Sequence, residues 1–202
     1  MLERTRSHRG RLLPIAIVAL AGGAIGAAIG SRGAPPRPVE AAEDKVAVGV
    51  AFSPGGGIEE ALVAEIEAAK REVLVAMYTF TSRSLSQALA RAKNRGCDVK
   101  VVLDDGQKDI RHGKYADLVK AGLDVRVLKL GKTGDNVPIR MHHKYVVVDR
   151  TTVGTGSFNW TSQADEENYE NIVIIKAPKT ADTFRKEFVK LWDLAGEPEK
   201  KK

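Results

Sequence analysis

Apolar residues along this chain keep two rhythms. Val46–Phe52 alternates loosely, and Val73–Phe80 and Asp98–Leu103 are short apolar runs rich in β-branched residues, so each predicts a strand. Gly57–Arg71 (GIEEALVAEIEAAKR) repeats its apolar positions at helical spacing. Ser84–Asn94 does the same, with Ser82 placed to cap its start and Gly96 to end it. Tyr115–Ala121 predicts a short helix closed by Gly122, and Asp124–Leu128 a strand. Lys129–Arg140 has no clear period and reads as a glycine-rich loop. Lys144–Asp149 and Thr152–Gly156 follow as two strands with a tight link, then Glu170–Ile175 as a strand and Ala181–Leu194 as a last helix. Strands that alternate with helices and later follow one another predict an α/β fold, a mixed β-sheet flanked by helices on both faces.

Composition narrows the organisation. The chain has 202 residues, enough for one domain with a sizeable core. Its single cysteine, Cys97, excludes an internal disulfide and reads as a buried thiol. Four arginines against one glutamate in residues 1–30 account for half of the formal net charge of +6, so the basic balance supports a polyanionic partner only weakly. Those arginines precede Leu12–Ile29, an uncharged stretch of 18 residues. Residues 1–30 therefore predict a signal peptide or an N-terminal membrane anchor. Small residues at Ala28-Ile29-Gly30 favour cleavage before Ser31, hence a periplasmic or secreted product; the alternative is association with a membrane through residues 12–29. Residues 31–45, with three prolines, form a linker; 46–196 form the domain, and 197–202 a charged tail.

Candidate chemistry gathers in MHHKYVVVDRTTVGTGSFNW, Met141–Trp160. Strand alternation puts His142 and Lys144 on one face and His143 on the other. Closing the two strands over Arg150-Thr151 as a two-residue loop sets Lys144 opposite Ser157 and His142 opposite Asn159. A cation, two neutral donors and a nucleophilic or proton-donating imidazole then converge, a set suited to a phosphate ester. Asp149 falls on the opposite parity at the strand end and is expected to cap the turn. The competing reading is a structural histidine with a snorkelling lysine, which four convergent polar groups disfavour. Asp104 and Asp105, followed by Gly106, read as a turn rather than a metal pair. Trp160 is expected to pack under the site, with stacking on a base of a single-stranded substrate as the alternative, and Phe188 and Trp192 to pack in the core. Lys132, Arg140 and His143 border the site.

The spacing His142-x-Lys144-x4-Asp149-x6-Gly156-Ser157-x-Asn159 resembles the HKD motif of the phospholipase D superfamily. VLVAMYTFTS (Val73–Ser82), VKVVLDDGQ (Val99–Gln107) and NYENIVII (Asn168–Ile175) resemble the framework of its short, single-motif members, the bacterial Nuc-type endonucleases and their mitochondrial relatives. The resemblance implies a phosphodiesterase that needs no metal or cofactor and works through a phosphohistidine. It implies His142 as nucleophile or acid, Lys144 and Asn159 as the phosphate clamp, Ser157 as a supporting donor, Asp149 as structural, and Glu170 as a carboxylate that orients the histidine. One motif supplies one catalytic histidine, so a symmetric homodimer with the site across its two-fold axis is expected. Three functions follow: an endonuclease of low sequence specificity on DNA or RNA, a phospholipase D on membrane lipids, or a non-catalytic nucleic-acid-binding protein.

Overall fold

The apolar runs pair into one sheet. The computed structural model describes residues 46–108 and 110–196; the expected leader, linker and charged tail lie outside the described residues. In chain order the elements are β1 (Ala47–Ser53), α1 (Ile58–Ala68), β2 (Glu72–Met77), α2 (Arg83–Asn94), β3 (Asp98–Asp104), a 3-10 turn (Asp105–Gln107), α3 (Tyr115–Lys120), β4 (Asp124–Leu128), β5 (Lys144–Val148), β6 (Thr152–Gly156), α4 (Ser162–Glu166), β7 (Glu170–Lys176) and α5 (Pro178–Leu194). The seven strands lie in the order β1-β7-β6-β5-β2-β3-β4. β2, β3 and β4 run parallel, as strands joined through helices must; the remaining neighbours are antiparallel.

Alternation along each strand divides the core in two. Val73, Val75, Met77, Val99, Val101 and Leu103 point to the layer of α1, α2, α3 and α4. Leu74, Ala76, Val102, Tyr145, Val147 and Val153 point to α5, which covers them with Ala181, Phe188 and Leu191. Helices thus lie on both faces, as the pattern predicts. β2 sits mid-sheet and is buried at every position. Ser82 caps α2 through Leu85 N–H at 3.1 Å. Cys97 is buried with its Sγ 3.5 Å from Ala69 O. Trp160 is 2% exposed and meets Phe80 edge-on at 4.9 Å, so it packs rather than faces solvent. Among the described residues no helix is long and apolar enough to cross a membrane.

The β5–β6 hairpin departs from expectation. Val148 pairs with Thr152 and Tyr145 with Thr155, so three residues link the strands, not two, and the register shifts by one. Asp149 and Arg150 adopt positive φ of 51° and 60°, a conformation non-glycine residues seldom take. The Asp149 carboxylate holds it there, accepting from the backbone N–H of Lys70 (2.8 Å), Arg71 (2.7 Å) and Glu72 (3.0 Å). Arg-Thr lacks the residues a two-residue turn needs, and this triple anchor selects the longer link. Two further differences are small: the apolar pattern does not mark the short α4, which Thr161 caps, and α5 begins at Pro178, in the first turn that proline suits.

Candidate active site

The C-terminal end of β2 organises the site. Tyr78 N–H donates to His143 O at 2.9 Å, and Trp160 N–H donates to Thr79 O at 3.0 Å. These two bonds draw the start of β5 and the segment after β6 to the same edge. Because of the register shift, Ser157 and Asn159 are not cross-strand partners of Lys144 and His142. They lie just past β6, where Phe158 and Trp160 turn into the helix-covered core.

His142 and Lys144 do meet. Lys144 Nζ lies 3.2 Å from Nδ1 and 3.3 Å from Nε2 of His142, and donates to its carbonyl at 3.1 Å. Tyr78 backs both, with its ring 4.3 Å from the imidazole and 5.1 Å below the ammonium. Desolvation, then the Lys144 charge, hold the His142 pKa below that of an ordinary histidine; Asp104 opposes this. Desolvation also lowers the Lys144 pKa, and the Glu170 carboxylate partly offsets it. The result is an imidazole that resists protonation, in contact with the Lys144 ammonium. That pairing suits attack on phosphorus with the phosphate charge already balanced.

Ser157 and Glu170 form the neighbouring group. The Ser157 hydroxyl donates to Glu170 Oε2 and accepts from Asn171 N–H at 3.1 Å. Asn168 Nδ2 donates to Glu170 Oε1 at 3.1 Å. Both Glu170 oxygens are therefore engaged by Ser157 and Asn168, where the resemblance implies a bond to histidine; Glu170 reaches the His142–Lys144 pair through its charge on Lys144. Ser157 likewise spends its proton on Glu170. The Asn159 Oδ1 is buried with no hydrogen-bond partner among the described residues. The oxygen can only accept, so it calls for a donor; the Nδ2 of the same amide is the atom able to donate to a phosphate oxygen. Asp149 stands at the far end of β5, tied to backbone as described above.

Two contributors, Asp104 and Tyr78, were not assigned to the site from the sequence. Asp104, 2% exposed, accepts from Met141 N–H at 2.9 Å, Arg140 Nη1 at 3.3 Å and Gly106 N–H at 3.0 Å. It therefore fixes the residue before His142, and the reading of Asp104-Asp105 as a turn gains a positioning role. The only signal was an aspartate closing a buried strand. Tyr78 carried no signal beyond its place at a strand end. Of the bordering charges, Arg140 is held by Asp104. His143 turns to the α5 side as parity predicts, its ring 5.6 Å from Tyr145 and its Nε2 3.9 Å from Glu187.

Comparison with known proteins shows the family. Residues 62–192 match the family described as cardiolipin synthase, PLD-like domain. The chain is 31% identical to a phospholipase D of Rickettsia prowazekii over 137 residues, 68% of this chain and 63% of that protein. It is 36% identical to a mitochondrial cardiolipin hydrolase of Xenopus laevis over 132 residues, 65% of this chain and 60% of that one. The matched segment thus spans less than two thirds of either relative. The crystal structure of Nuc from Salmonella typhimurium, a phospholipase D family member, superposes with a TM-score of 0.68 at 31% identity, covering 76% of this chain and 99% of that one.

Proposed function

The chain belongs to the phospholipase D superfamily through its PLD-like domain, and from that premise we propose that it is a phosphodiesterase, an endonuclease cleaving nucleic acid through a phosphohistidine. The observation that carries the reading is the His142 imidazole held 3.2 Å from the Lys144 ammonium, over the Tyr78 ring. His142 attacks phosphorus; a P–N bond forms and one P–O ester bond breaks. The leaving oxygen takes its proton from the His142 of a second copy. Water, giving its proton back to that histidine, then displaces His142 and completes hydrolysis. Lys144 and the Asn159 amide hold the non-bridging oxygens, and the Ser157–Glu170 pair fixes the wall beside them.

A second copy has a surface to sit on. β1 is an edge strand, and Val46, Val48, Val50 and Phe52 on one of its faces are 48 to 63% exposed. Phe52 pairs opposite Asn171, whose N–H bonds Ser157, so this apolar stripe runs up to the site. Apolar stripes of this kind are characteristic of protein interfaces, which supports a homodimer with the site at its two-fold axis. The leader reading places the enzyme outside the cytoplasm or on a membrane.

Nucleic acid is favoured by the likeness to Nuc over almost its whole length. Lipid is the second reading, favoured by the relatives named phospholipase D and cardiolipin hydrolase. The test is a substrate panel in excess EDTA: plasmid, single-stranded oligonucleotide and anionic phospholipid vesicles, each beside His142→Ala. Oligonucleotide or plasmid cleavage that survives chelation and vanishes in the variant is expected. Hydrolysis confined to vesicles would replace the nuclease reading with the lipase. Cleavage lost on chelation would overturn the metal-independent mechanism.

A further inference from the structure

The loop before His142 is a built finger. Lys132 bridges antiparallel to Pro138, Thr133 N–H donates to Val137 O at 2.8 Å, and Ile139 N–H donates to Gly131 O at 2.9 Å. Its turn closes through Asn136 N–H to Thr133 O at 2.9 Å, with Asn136 at a φ of 63° and its side chain accepting from Lys132 Nζ at 2.9 Å. Every residue from Gly131 to Arg140 is exposed. A hairpin bonded this fully within itself holds its shape while exposed, and its root runs directly into Met141 and His142.

Its surface is amphipathic. Val137 is 57% and Ile139 45% exposed, and two-residue alternation puts both on one side of the limb, with Pro138 and Arg140 on the other. Lys129, Lys132 and Arg140 against Asp135 make the segment basic. The tip, Gly134-Asp135-Asn136, is polar and carries the one acidic residue. A finger that entered an anionic bilayer would be apolar at its tip; here the apolar pair lies on the flank, where it meets a ligand laid alongside. At the root an open cavity of ≈ 340 Å³ is lined by Leu130, Arg140, Met141, His142, His143 and Leu191.

Resting on the phosphodiesterase reading above, we infer that this finger is a rest for single-stranded nucleic acid. Val137 and Ile139 contact unstacked bases, Lys129 and Lys132 meet the flanking phosphates, and the root cavity receives a base next to the scissile phosphate at His142. Apolar side chains reward exposed base faces, which a duplex offers only once a step is unstacked at a cost, so the finger favours single strands. This adds a specificity element to a site that otherwise recognises only a phosphodiester.

The test is fluorescence anisotropy of the full chain with a labelled single-stranded oligonucleotide and with its blunt duplex, for wild type and Val137→Ser/Ile139→Ser. Both side chains are exposed, so folding is not at stake. The single-strand Kd is expected to rise about 10-fold and the duplex Kd less than about 2-fold. An unchanged single-strand Kd in a protein that still cleaves oligonucleotide would overturn the inference and leave the nuclease reading standing. Equal weakening for both forms would overturn the single-strand preference. A wild-type chain that neither binds nor cleaves oligonucleotide, with vesicle hydrolysis falling in the variant, would overturn both readings and make the finger a lipid contact.

Discussion

The two ends of β5 carry two halves of one motif and treat them in opposite ways. At its start, Lys144 stands against His142 over the Tyr78 ring, half-buried, with its cation close to an imidazole that it discourages from charging. Just past β6 the Asn159 Oδ1 is buried without a partner among the described residues. At its end, Asp149 accepts three backbone N–H bonds that tie the β5–β6 link to the chain between α1 and β2. One end keeps unmet bonding capacity; the other has used its capacity on the fold. The difference teaches that motif residues five apart on a strand need not share a task. His142 and Lys144 are chemistry held by Asp104 and Tyr78, whereas Asp149 is the anchor that makes the hairpin possible.

The largest way to break this contrast is at the reactive end. His142→Ala should lower phosphodiester cleavage on the order of 10⁴-fold while the urea midpoint stays at the wild-type value. Loss of folding with the activity would make His142 structural instead. Next, Lys144→Ala should cost about 10²–10³-fold in kcat, measured under saturating substrate, because it removes a charge aimed at the phosphate. A change in KM alone would reduce Lys144 to a substrate-binding contact.

At the other end the effect should move from rate to stability. Asp149→Ala should destabilise the domain by about 2–4 kcal/mol in urea unfolding, since three backbone donors lose a charged acceptor. The activity of the molecules that remain folded should be kept. Burial pushes the Asp149 carboxyl up, and the N–H groups of Lys70, Glu72 and Arg71 outweigh it, leaving the pKa below its ordinary value. With the folded value below the unfolded one, its stabilisation is whole above the unfolded value, about 3.9, and is lost as pH falls through the folded one. Acid unfolding of Asp149→Asn should therefore show a shallower dependence on pH than wild type.

The smallest effect sharpens the reactive end. Desolvation and Lys144 keep His142 uncharged at pH values where an ordinary histidine has protonated. The acid limb of kcat/KM should thus lie below about 6.5, and Lys144→Gln should move it upward. A limb that ignores the substitution would show that Lys144 does not set the charge on His142.

Much of this was legible in the sequence. Two-residue alternation placed His142 with Lys144 and turned His143 away, and it put Asp149 on the structural side. The helix caps and the two-faced sheet followed from Ser82, Gly96 and the apolar runs. The hairpin register was not legible, because it depends on Asp149 reaching Lys70, Arg71 and Glu72, about 77 to 79 residues earlier. For the same reason Asp104 gave no hint that it holds Met141, a bond across 37 residues. Local pattern states which face a residue occupies; only the folded sheet states which distant backbone it meets.

The claim at the centre is that His142 itself bonds to phosphorus. The direct measurement is a rapid alkaline quench during oligonucleotide cleavage, followed by peptide mass spectrometry for an alkali-stable, acid-labile phosphoryl adduct. An adduct on His142, absent from His142→Ala, is the predicted result. Turnover with no adduct on His142, or an adduct on another residue, would contradict it.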